Sequence, residues 1–312
     1  MLRLVLRRLA WSIPLLLVAT MVSFILVAFL PGNTARALLG PNATEAQVAA
    51  VTEQLGLNKP LWEQYWQWLQ GAVHGDLGTS LISRQPVTTL LNDRLEPSLS
   101  LIIGATLVAG VVGVILGIRG ARRGVLGKVV DAGSIVGLAI PDFWLGLILI
   151  AVFAVQLAVL PPGGYVPFID DPGLWFTSLV LPVITLAVPA TAIIAKQTRD
   201  AVSTALNRSF VRTLSAAGVP DRSIVYRHAL KNAAIPILTV VGLIFVGALS
   251  GTVAVESIYS IPGLGSTAVQ ATSAHDLPLI QGVVVYFTII VIAVNLLVDL
   301  GYGYFNPRVR QS

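Results

Sequence analysis

The sequence predicts an all-α membrane protein with six transmembrane helices, and three observations support this prediction. Of its 312 residues, 55% are hydrophobic and only 11% are charged, and the mean hydropathy is +0.82. Six apolar runs are long enough to cross a bilayer, which takes about 20 residues at a helical rise of 1.5 Å. The basic residues are concentrated in alternate loops. A soluble domain of this length would need much more polar surface.

The six apolar runs lie near residues 9–30, 98–118, 132–158, 177–195, 236–256 and 279–303. The first run follows the basic stretch Met1 to Arg8. It is longer than the core of a typical signal peptide and long enough to span a bilayer, so we interpret it as an uncleaved first helix.

The distribution of Lys and Arg predicts the topology. Of the 20 Lys and Arg residues, 16 lie in the loops near 119–131 and 196–235 or at the two termini. The other four are Arg36, Lys59, Arg84 and Arg94. Because basic residues accumulate in cytoplasmic loops, both termini and the 196–235 loop are predicted to be cytoplasmic. The same rule explains the net charge of +5 without nucleic acid as a partner.

This topology divides the chain into three parts. Residues 1–30 form the cytoplasmic N-terminus and the first transmembrane helix, and residues 31–97 form an external segment. Residues 98–312 form a core with five transmembrane helices, which includes the cytoplasmic loop 196–235.

The external segment contains one helix candidate, PLWEQYWQWLQG, which predicts a helical cap between the first two spans. Its residues Trp62, Tyr65, Trp66 and Leu69 fall on one face at helical spacing. Since Trp and Tyr are favoured at membrane interfaces, we favour packing of this face on the spans or the lipid interface. Direct stacking on a substrate is the alternative.

Two of the predicted spans are interrupted by proline. The third contains AIPDFWLG, where Pro141 removes a helical hydrogen bond and Asp142 places a carboxylate near mid-span. A carboxylate at membrane depth is costly unless it faces a wet cavity or a partner. The fourth span contains Pro182 and Pro189. Bent helices around a wet centre favour a transport pathway over a passive anchor.

Several kinds of chemistry have no support in the sequence. The chain has no cysteine, which excludes disulfides, thiolate nucleophiles and Cys-ligated metals. The closest match to a phosphate-binding loop, GVLGKVV, has Val129 where Ser or Thr should bind magnesium. The histidines His74, His228 and His275 are not at metal-ligand spacing. We therefore predict no catalytic residue, no metal site and no cofactor in this chain.

A polar segment, SAAGVPDRSIVYRHALKNAAIP, separates the fourth and fifth runs. The helix of the fourth span is expected to continue through KQTRDAVSTALNRSFVRTLSAAG and to end at Gly218 in a left-handed conformation. Pro220 and Asp221 suit the start of a second helix, and Pro236 is expected to begin the fifth span. We favour a docking helix–turn–helix over an ordinary basic loop, because a basic loop needs no such Gly and Pro punctuation.

The stretch FVRTLSAAGVPDRSIVYRHALKNAAIP resembles the EAA-type loop of ABC importer permeases of the dipeptide, oligopeptide and nickel branch, which reads close to YVRTARAKGL…RHALRNALLP. Leu214 and Ala217 depart from that pattern, where alanine and a basic residue are usual. The matching positions are Arg212, Thr213, Gly218, His228, Leu230, Asn232 and Pro236.

The resemblance extends over most of the chain. Further similar stretches are LGLNKPLWEQYWQWL…HGDLGTSL, IPDFWLGLILI, VESIYSIPGLGSTAVQATSAHDLPLIQG and NLLVDLGYGYFNPRVR. Asp142 stands where the branch usually has an uncharged residue. The resemblance implies the type I ABC importer permease fold in the bacterial inner membrane, with a coupling helix between spans four and five.

The resemblance also implies partners and site residues. The partners are a second permease (a homologue or a second copy), two cytoplasmic ATPases that bind ATP and Mg, an extracytoplasmic binding protein and membrane lipid. The residues that couple the chain to the ATPases are Arg212, Thr213, Ala216, Ala217, Gly218, Asp221, Arg222, Arg227 and His228. The candidates for the translocation pathway are Pro141, Asp142 and Glu256. The candidates for the external mouth are Pro262, Gly263, Gly265 and Asp276, where the two glycines would permit a tight re-entrant turn.

The expected function is therefore that of the membrane subunit of an importer for di- and oligopeptides, coupled to ATPases through the 212–236 loop. A nickel or small-chelate importer is the alternative within the family, because permeases of this branch look alike. An ATP-independent channel or a membrane enzyme is the alternative from another class, and the coupling segment argues against both.

Overall fold

The computed structural model of the protein describes residues 2–29, 34–40, 42–121 and 124–305. Side chains are described in the same ranges from residue 5 onward. Its helices in chain order are α1 (Leu2–Ala28), α2 (Thr34–Leu39), α3 (Glu45–Gln54), α4 (Leu61–Val73), α5 (Val87–Gly120), α6 (Val125–Ala139), α7 (Asp142–Leu149), α8 (Pro172–Leu206), α9 (Ser209–Ala216), α10 (Asp221–Ser223), α11 (Leu230–Ile258), α12 (Leu264–Ser273) and α13 (Leu277–Phe305). Two π-helical segments, Ile150–Gln156 and Ile224–Ala229, follow α7 and α10.

The helices confirm the predicted all-α membrane architecture. Among the described residues, five helical stretches are long and apolar enough to cross a membrane, namely Val5–Ala28, Val87–Gly120, Pro172–Leu206, Asp221–Ile258 and Leu277–Phe305. The pair Val125–Ala139 and Asp142–Gln156 passes the same test together, which raises the number to six if the pair is one span.

The third predicted span is broken rather than gently kinked. Its two halves meet at an angle of 94°. Ile140 is extended, with φ −85° and ψ 120°, as favoured for a residue that precedes proline. Pro141 then caps the start of α7. By contrast, Pro182 and Pro189 both lie inside α8, which continues through them.

The chain forms two units. The first comprises Pro97–Ile261 with the terminal segments Met1–Leu4 and Ala293–Ser312, and the second comprises Val5–Glu96 with Pro262–Ile292. Within the first unit, α5 and α8 approach closely at glycines. A methyl group at Gly117 would stand 2.5 Å from Cβ of Thr198, and one at Gly113 would stand 2.9 Å from Cβ of Ile194. Small residues permit this close helix packing in membranes.

Tyr259 is the largest fully buried side chain in the first unit. Its hydroxyl donates to the carbonyl of Gly146 at 3.2 Å and lies 2.9 Å from Oγ1 of Thr185. Its own carbonyl accepts the N–H of Gly164 at 2.7 Å. Tyr259 therefore joins the end of α11 to α7, to α8 and to the loop that precedes α8.

In the second unit, α4 packs against α1 through one aromatic residue. The hydroxyl of Tyr65 lies 3.0 Å from Oγ1 of Thr20 and donates to the carbonyl of Leu17 at 3.2 Å. Trp62 and Trp66 remain 73% and 57% exposed. Of the predicted aromatic face, Tyr65 therefore packs on α1, whereas Trp62 and Trp66 are exposed.

Candidate functional site

The predicted turn at Gly218 is present, and its hydrogen bonds define it. Gly218 has a φ of +76°. Its N–H donates to the carbonyl of Ser215 at 3.1 Å, and the N–H of Val219 donates to the carbonyl of Leu214 at 3.0 Å. This pair of bonds is the Schellman motif, which ends a helix at a left-handed residue. The prediction for Gly218 is confirmed, and α9 ends as a short helix with a fixed tip.

Two boundaries of the predicted segment differ in the structure. The helix of the fourth span ends at Leu206, and α9 begins separately at Ser209 after the extended residue Arg208. Pro236 does not begin the fifth span, because it lies inside α11. A proline inside a helix removes one hydrogen bond. The apolar packing of the residues around it compensates, since Ala233 and Ile237 belong to a buried cluster.

The second half of the segment is anchored to the spans. Val225, Ala229 and Ala233 pack in a buried cluster with Ile118 of α5 and Val202 of α8. These side chains come from three separate helical stretches of the first unit. The Asp221–Ala233 stretch is therefore packed directly on α5 and α8.

The predicted coupling residues of α9 and its turn are all at the surface. No residue of α9 is buried. The exposed members are Arg212, Thr213, Ala216, Ala217, Gly218, Asp221, Arg222 and Arg227, and His228 is half-buried. Small side chains at the tip leave the backbone of the turn accessible to a partner.

Arg222 differs from the other coupling candidates in its surroundings. It lines a cavity of about 450 Å³ together with Arg119, and no residue of α9 lines that cavity. This proximity was not predictable from the sequence, because α6, α7, α8 and α9 lie between the two arginines along the chain.

An ion-pair cluster that was not predicted connects α6 to α8. Arg199 forms a salt bridge with Asp131, and Lys196 lies 3.5 Å from the same carboxylate. Lys196 also pairs with Asp200 at 3.4 Å. The i,i+4 spacing of Lys196 and Asp200 was visible in the sequence, whereas their distant partner Asp131 was not. The cluster orients α8 about two turns before it ends.

Asp142 lies at the first turn of α7, directly after the break in the third span. Its side chain is half-buried, and the described residues form no hydrogen bond or ion pair with its carboxylate. A methyl group at Gly251 of α11 would stand 3.6 Å from Oδ2 of Asp142. Pro141 next to it is exposed. The break therefore presents a carboxylate close to the bare backbone of α11.

Glu256, the third pathway candidate, is held inside the first unit. It is only 1% exposed, and Oγ of Ser98 donates to its Oε1 at 2.7 Å. A glutamate buried in this way faces the protein interior and not an open water-filled surface. Its apolar neighbours along α11 gave no indication that Ser98 of α5 would meet it.

The predicted glycine turn of the external mouth is wrong in its backbone detail. Gly263 has an extended conformation with φ −105° and precedes α12, and Gly265 lies within that helix. The left-handed residues around this segment are Ser260 and His275, with φ of 53° and 54°. Both glycines are buried and Pro262 is half-buried. The burial of Gly263 and Gly265 at the start of α12 explains these two glycines better than turn geometry does.

Asp276 is the most highly connected of the mouth candidates. It is 1% exposed and accepts a hydrogen bond from Oγ of Ser80 at 2.5 Å. The backbone N–H groups of Leu81, Ile82 and Leu279 also donate to it, at 3.2, 3.4 and 3.4 Å. Asp276 thus caps the start of α13 and holds the loop before α5 in place.

The described residues contain no group of three or more His, Asp or Glu side chains placed to hold a metal ion. The polar features of the site are instead an exposed helix tip, a broken span with a carboxylate and a buried carboxylate that organises a loop.

Comparison with known proteins gives full-length matches. Residues 109–311 match the family model described as the binding-protein-dependent transport system inner membrane component, and residues 1–102 match the model for the N-terminal part of such membrane components. The probable peptide ABC transporter permease protein y4tP of Sinorhizobium fredii is 38% identical over 308 residues, with 98% of both chains covered.

Two further relatives are similar over their whole length. A putative peptide transport system permease protein of Brucella abortus is 36% identical over 309 residues, with 98% of both chains covered. The glutathione transport system permease protein GsiC of Escherichia coli is 36% identical over 312 residues, with 99% of both chains covered.

Proposed function

This chain belongs to the family of binding-protein-dependent transport system inner membrane components and is a multi-pass membrane subunit of an ABC importer, and we propose that it carries di- and oligopeptides. The names of its relatives support this substrate class, because they are peptide permeases or a permease for glutathione, which is itself a tripeptide. A nickel or small-chelate substrate is the alternative within the family. Family membership supports a transport subunit over an autonomous channel or a membrane enzyme.

The observation that carries the proposed mechanism is the exposed α9 with its Schellman turn, joined to a stretch that packs on two spans. Cytoplasmic ATPases would bind α9 and its small-residue tip in a groove, which is a common mode of helix recognition. Their closure on ATP and Mg would move α9. Because Val225, Ala229 and Ala233 pack against α5 and α8, the movement would pass directly to the spans.

Coupling also sets a thermodynamic requirement. ATP and peptide shift the conformational equilibrium only if each binds the inward-facing and outward-facing states with different affinity. In this scheme the chain supplies no ATPase site, and its contribution is the mechanical link between α9 and the pathway.

Permeases of this family work with ATPases and a substrate-binding protein. We assign to this chain one half of a pathway that a second permease completes, with two ATPases on the side of α9. The concentration of Lys and Arg in the 196–235 loop and near both termini supports a cytoplasmic location for these parts. The binding protein would then dock on the opposite side, near Asp276.

The test of this function is capture of the tagged chain in mild detergent, followed by native mass spectrometry. We expect the mass of a complex that contains a second permease, two ATPases and a binding protein with a bound peptide. A metal chelate found on the binding protein would contradict the peptide proposal and support the alternative substrate. Recovery of this chain alone in several mild detergents would contradict the coupling scheme.

Asp142 is proposed to attract the ammonium group of a peptide within the pathway. We expect Asp142→Asn to lower uptake of a peptide with a free amino terminus about fivefold, since a partly exposed ion pair contributes up to about 1 kcal/mol. Uptake is measured with the whole complex in proteoliposomes. The N-acetylated peptide is the control, because it carries no ammonium and its uptake should not change. Equal uptake of the free peptide by both proteins would remove Asp142 from the mechanism.

A further inference from the structure

The cavity that contains Arg222 lies where three helical stretches of the first unit begin or end. Ile118 and Arg119 come from the last turn of α5, Leu126 from the first turn of α6, and Arg222, Val225 and Tyr226 from the stretch after Pro220. Its volume of about 450 Å³ falls in the range of small-molecule binding sites.

Two guanidinium groups give the cavity a positive charge that nothing in its wall compensates. Arg119 and Arg222 are both exposed, and neither forms an ion pair with a described residue. The residues that the structure describes around the cavity include no carboxylate. The carboxylate of Asp131 on α6 is already paired with Arg199 and Lys196. The phenol of Tyr226 adds a further hydrogen-bonding group to this charged side.

The opposite wall of the cavity is apolar and is continuous with exposed apolar side chains of α6. Ile118, Leu126 and Val225 line it. Next to Leu126, the side chains of Val125 and Val129 on α6 are 78% and 57% exposed. A ligand that fits both walls must be amphipathic, with an anionic end at the arginines and an apolar end along α6.

The position of the cavity relative to the candidate spans selects the ligand. Arg119 directly follows the apolar run near 98–118, and Arg222 lines the same cavity. The cavity therefore lies at the end of that apolar run, close to the depth at which phospholipid phosphates are found. Basic pockets between transmembrane helices bind anionic headgroups, and the planar guanidinium forms paired hydrogen bonds with phosphate oxygens.

We propose that this cavity binds the headgroup of an anionic phospholipid, with its phosphate between Arg119 and Arg222 and its acyl chains along α6. The bound lipid would hold the Asp221–Tyr226 stretch against the end of α5. It would thereby influence the position of the element that follows α9. The site requires only that the chain spans a membrane, so its test is independent of the proposed substrate and of coupling to ATPases.

The experiment is native mass spectrometry of the purified full chain in detergent, titrated with phosphatidylglycerol or with phosphatidylcholine of the same acyl chains. We expect one tightly retained phosphatidylglycerol and no comparable phosphatidylcholine. The double variant Arg119→Gln, Arg222→Gln should lower the affinity for phosphatidylglycerol roughly tenfold or more, from about 1 kcal/mol for each basic residue near the surface. Inorganic phosphate at millimolar concentration should not displace the lipid.

A matched control removes two charges from exposed positions of the same unit outside the cavity. The variant Arg208→Gln, Lys231→Gln should bind phosphatidylglycerol like the unchanged chain. Equal lipid affinity of the two double variants would overturn the proposal. Displacement of the lipid by inorganic phosphate would show a simple phosphate site and would also overturn it.

A second measurement does not depend on the folding of a variant. A photoactivatable phosphatidylglycerol is crosslinked to the unchanged chain, and the labelled peptides are identified. Labels on 118–119, 126 and 222–226 are the expected result, and labels confined to other segments would contradict the site. If lipid binding survives the arginine changes while co-purifying subunits are lost, the cavity belongs to a protein partner instead.

Discussion

Replacing Gly218 by valine is expected to lower peptide uptake by the assembled importer about 5- to 30-fold. Gly218 has a φ of +76° and no atom within 4 Å of the position of an added Cβ. The effect must therefore come from the backbone and not from a steric clash with neighbours. A left-handed conformation costs an L-residue about 1–2 kcal/mol, and a β-branched side chain suits it least. The variant turn would release the tip of α9 from its fixed geometry.

The measurement is uptake in proteoliposomes, together with the amount of ATPase that the chain captures. Gly218→Asn should retain most of the activity, because asparagine tolerates the left-handed region best after glycine. Both uptake and capture should fall in Gly218→Val, since α9 is the proposed ATPase contact. Unchanged capture and uptake in the valine variant would remove the turn from the coupling scheme.

The second unit offers a closely matched control at the end of α4. Gly75 also has a positive φ, of +86°, with no atom within 4 Å of an added Cβ. Its N–H donates to Ala72, and that of Asp76 donates to Gly71, which is again a Schellman pair. Gly75→Val thus introduces the same backbone strain outside the coupling segment. We expect Gly75→Val to leave capture of the ATPase unchanged. The comparison then shows whether the loss in Gly218→Val comes from the position of the turn in α9 or from any strained turn in the chain.

Replacing Asp276 by alanine is expected to destabilise the second unit by about 2–4 kcal/mol, because a buried donor that loses its acceptor costs about 1–3 kcal/mol. The change leaves the hydroxyl of Ser80 and three backbone N–H groups without their acceptor. It also removes the cap of α13. The loop before α5 should loosen, and docking of the binding protein near it should weaken.

Thermal unfolding of the purified chain, followed by circular dichroism, measures the loss of stability. Asp276→Asn keeps one acceptor oxygen and should lie between the alanine variant and the unchanged chain. The control is Asp76→Ala in the same segment, since Asp76 is exposed and caps only the N–H of Gly78. We expect a change below about 1 kcal/mol there. Similar unfolding midpoints for Asp276→Ala and Asp76→Ala would contradict the structural role of Asp276.

The parts of the fold that were predictable depend on short-range properties of the chain. The transmembrane stretches follow from runs of apolar residues, and the break in the third span follows from Pro141. The left-handed turn at Gly218 follows from a glycine two residues before a proline. The resemblance to ABC importer permeases rests on motifs along most of the chain, and full-length matches to relatives confirm it.

The parts that failed depend on local rules that distant contacts override. Pro236 was expected to begin a helix, but the buried cluster around Ala233 and Ile237 keeps α11 continuous through it. Gly263 and Gly265 were expected to form a tight turn, but they lie at and within the start of α12. The packing predicted for the aromatic face of α4 is seen at Tyr65, which meets α1, while for Trp62 the lipid interface stays a prediction.

From the sequence alone, the spans follow from hydropathy, the turn of the proposed coupling segment follows from Gly218 and Pro220, and membership of an importer family follows from the resemblance of its motifs. Hydropathy, glycine and proline act over a few neighbouring residues, so the spans and the turn were predictable without the fold. Three features are visible only once the helices are packed: Glu256 is buried against Ser98, Asp276 holds the loop of Ser80, and Arg119 shares a cavity with Arg222. Ser80 and Asp276 are 196 residues apart. Burial and pairing of such residues depend on how the helices pack, and no local pattern in the chain encodes that arrangement.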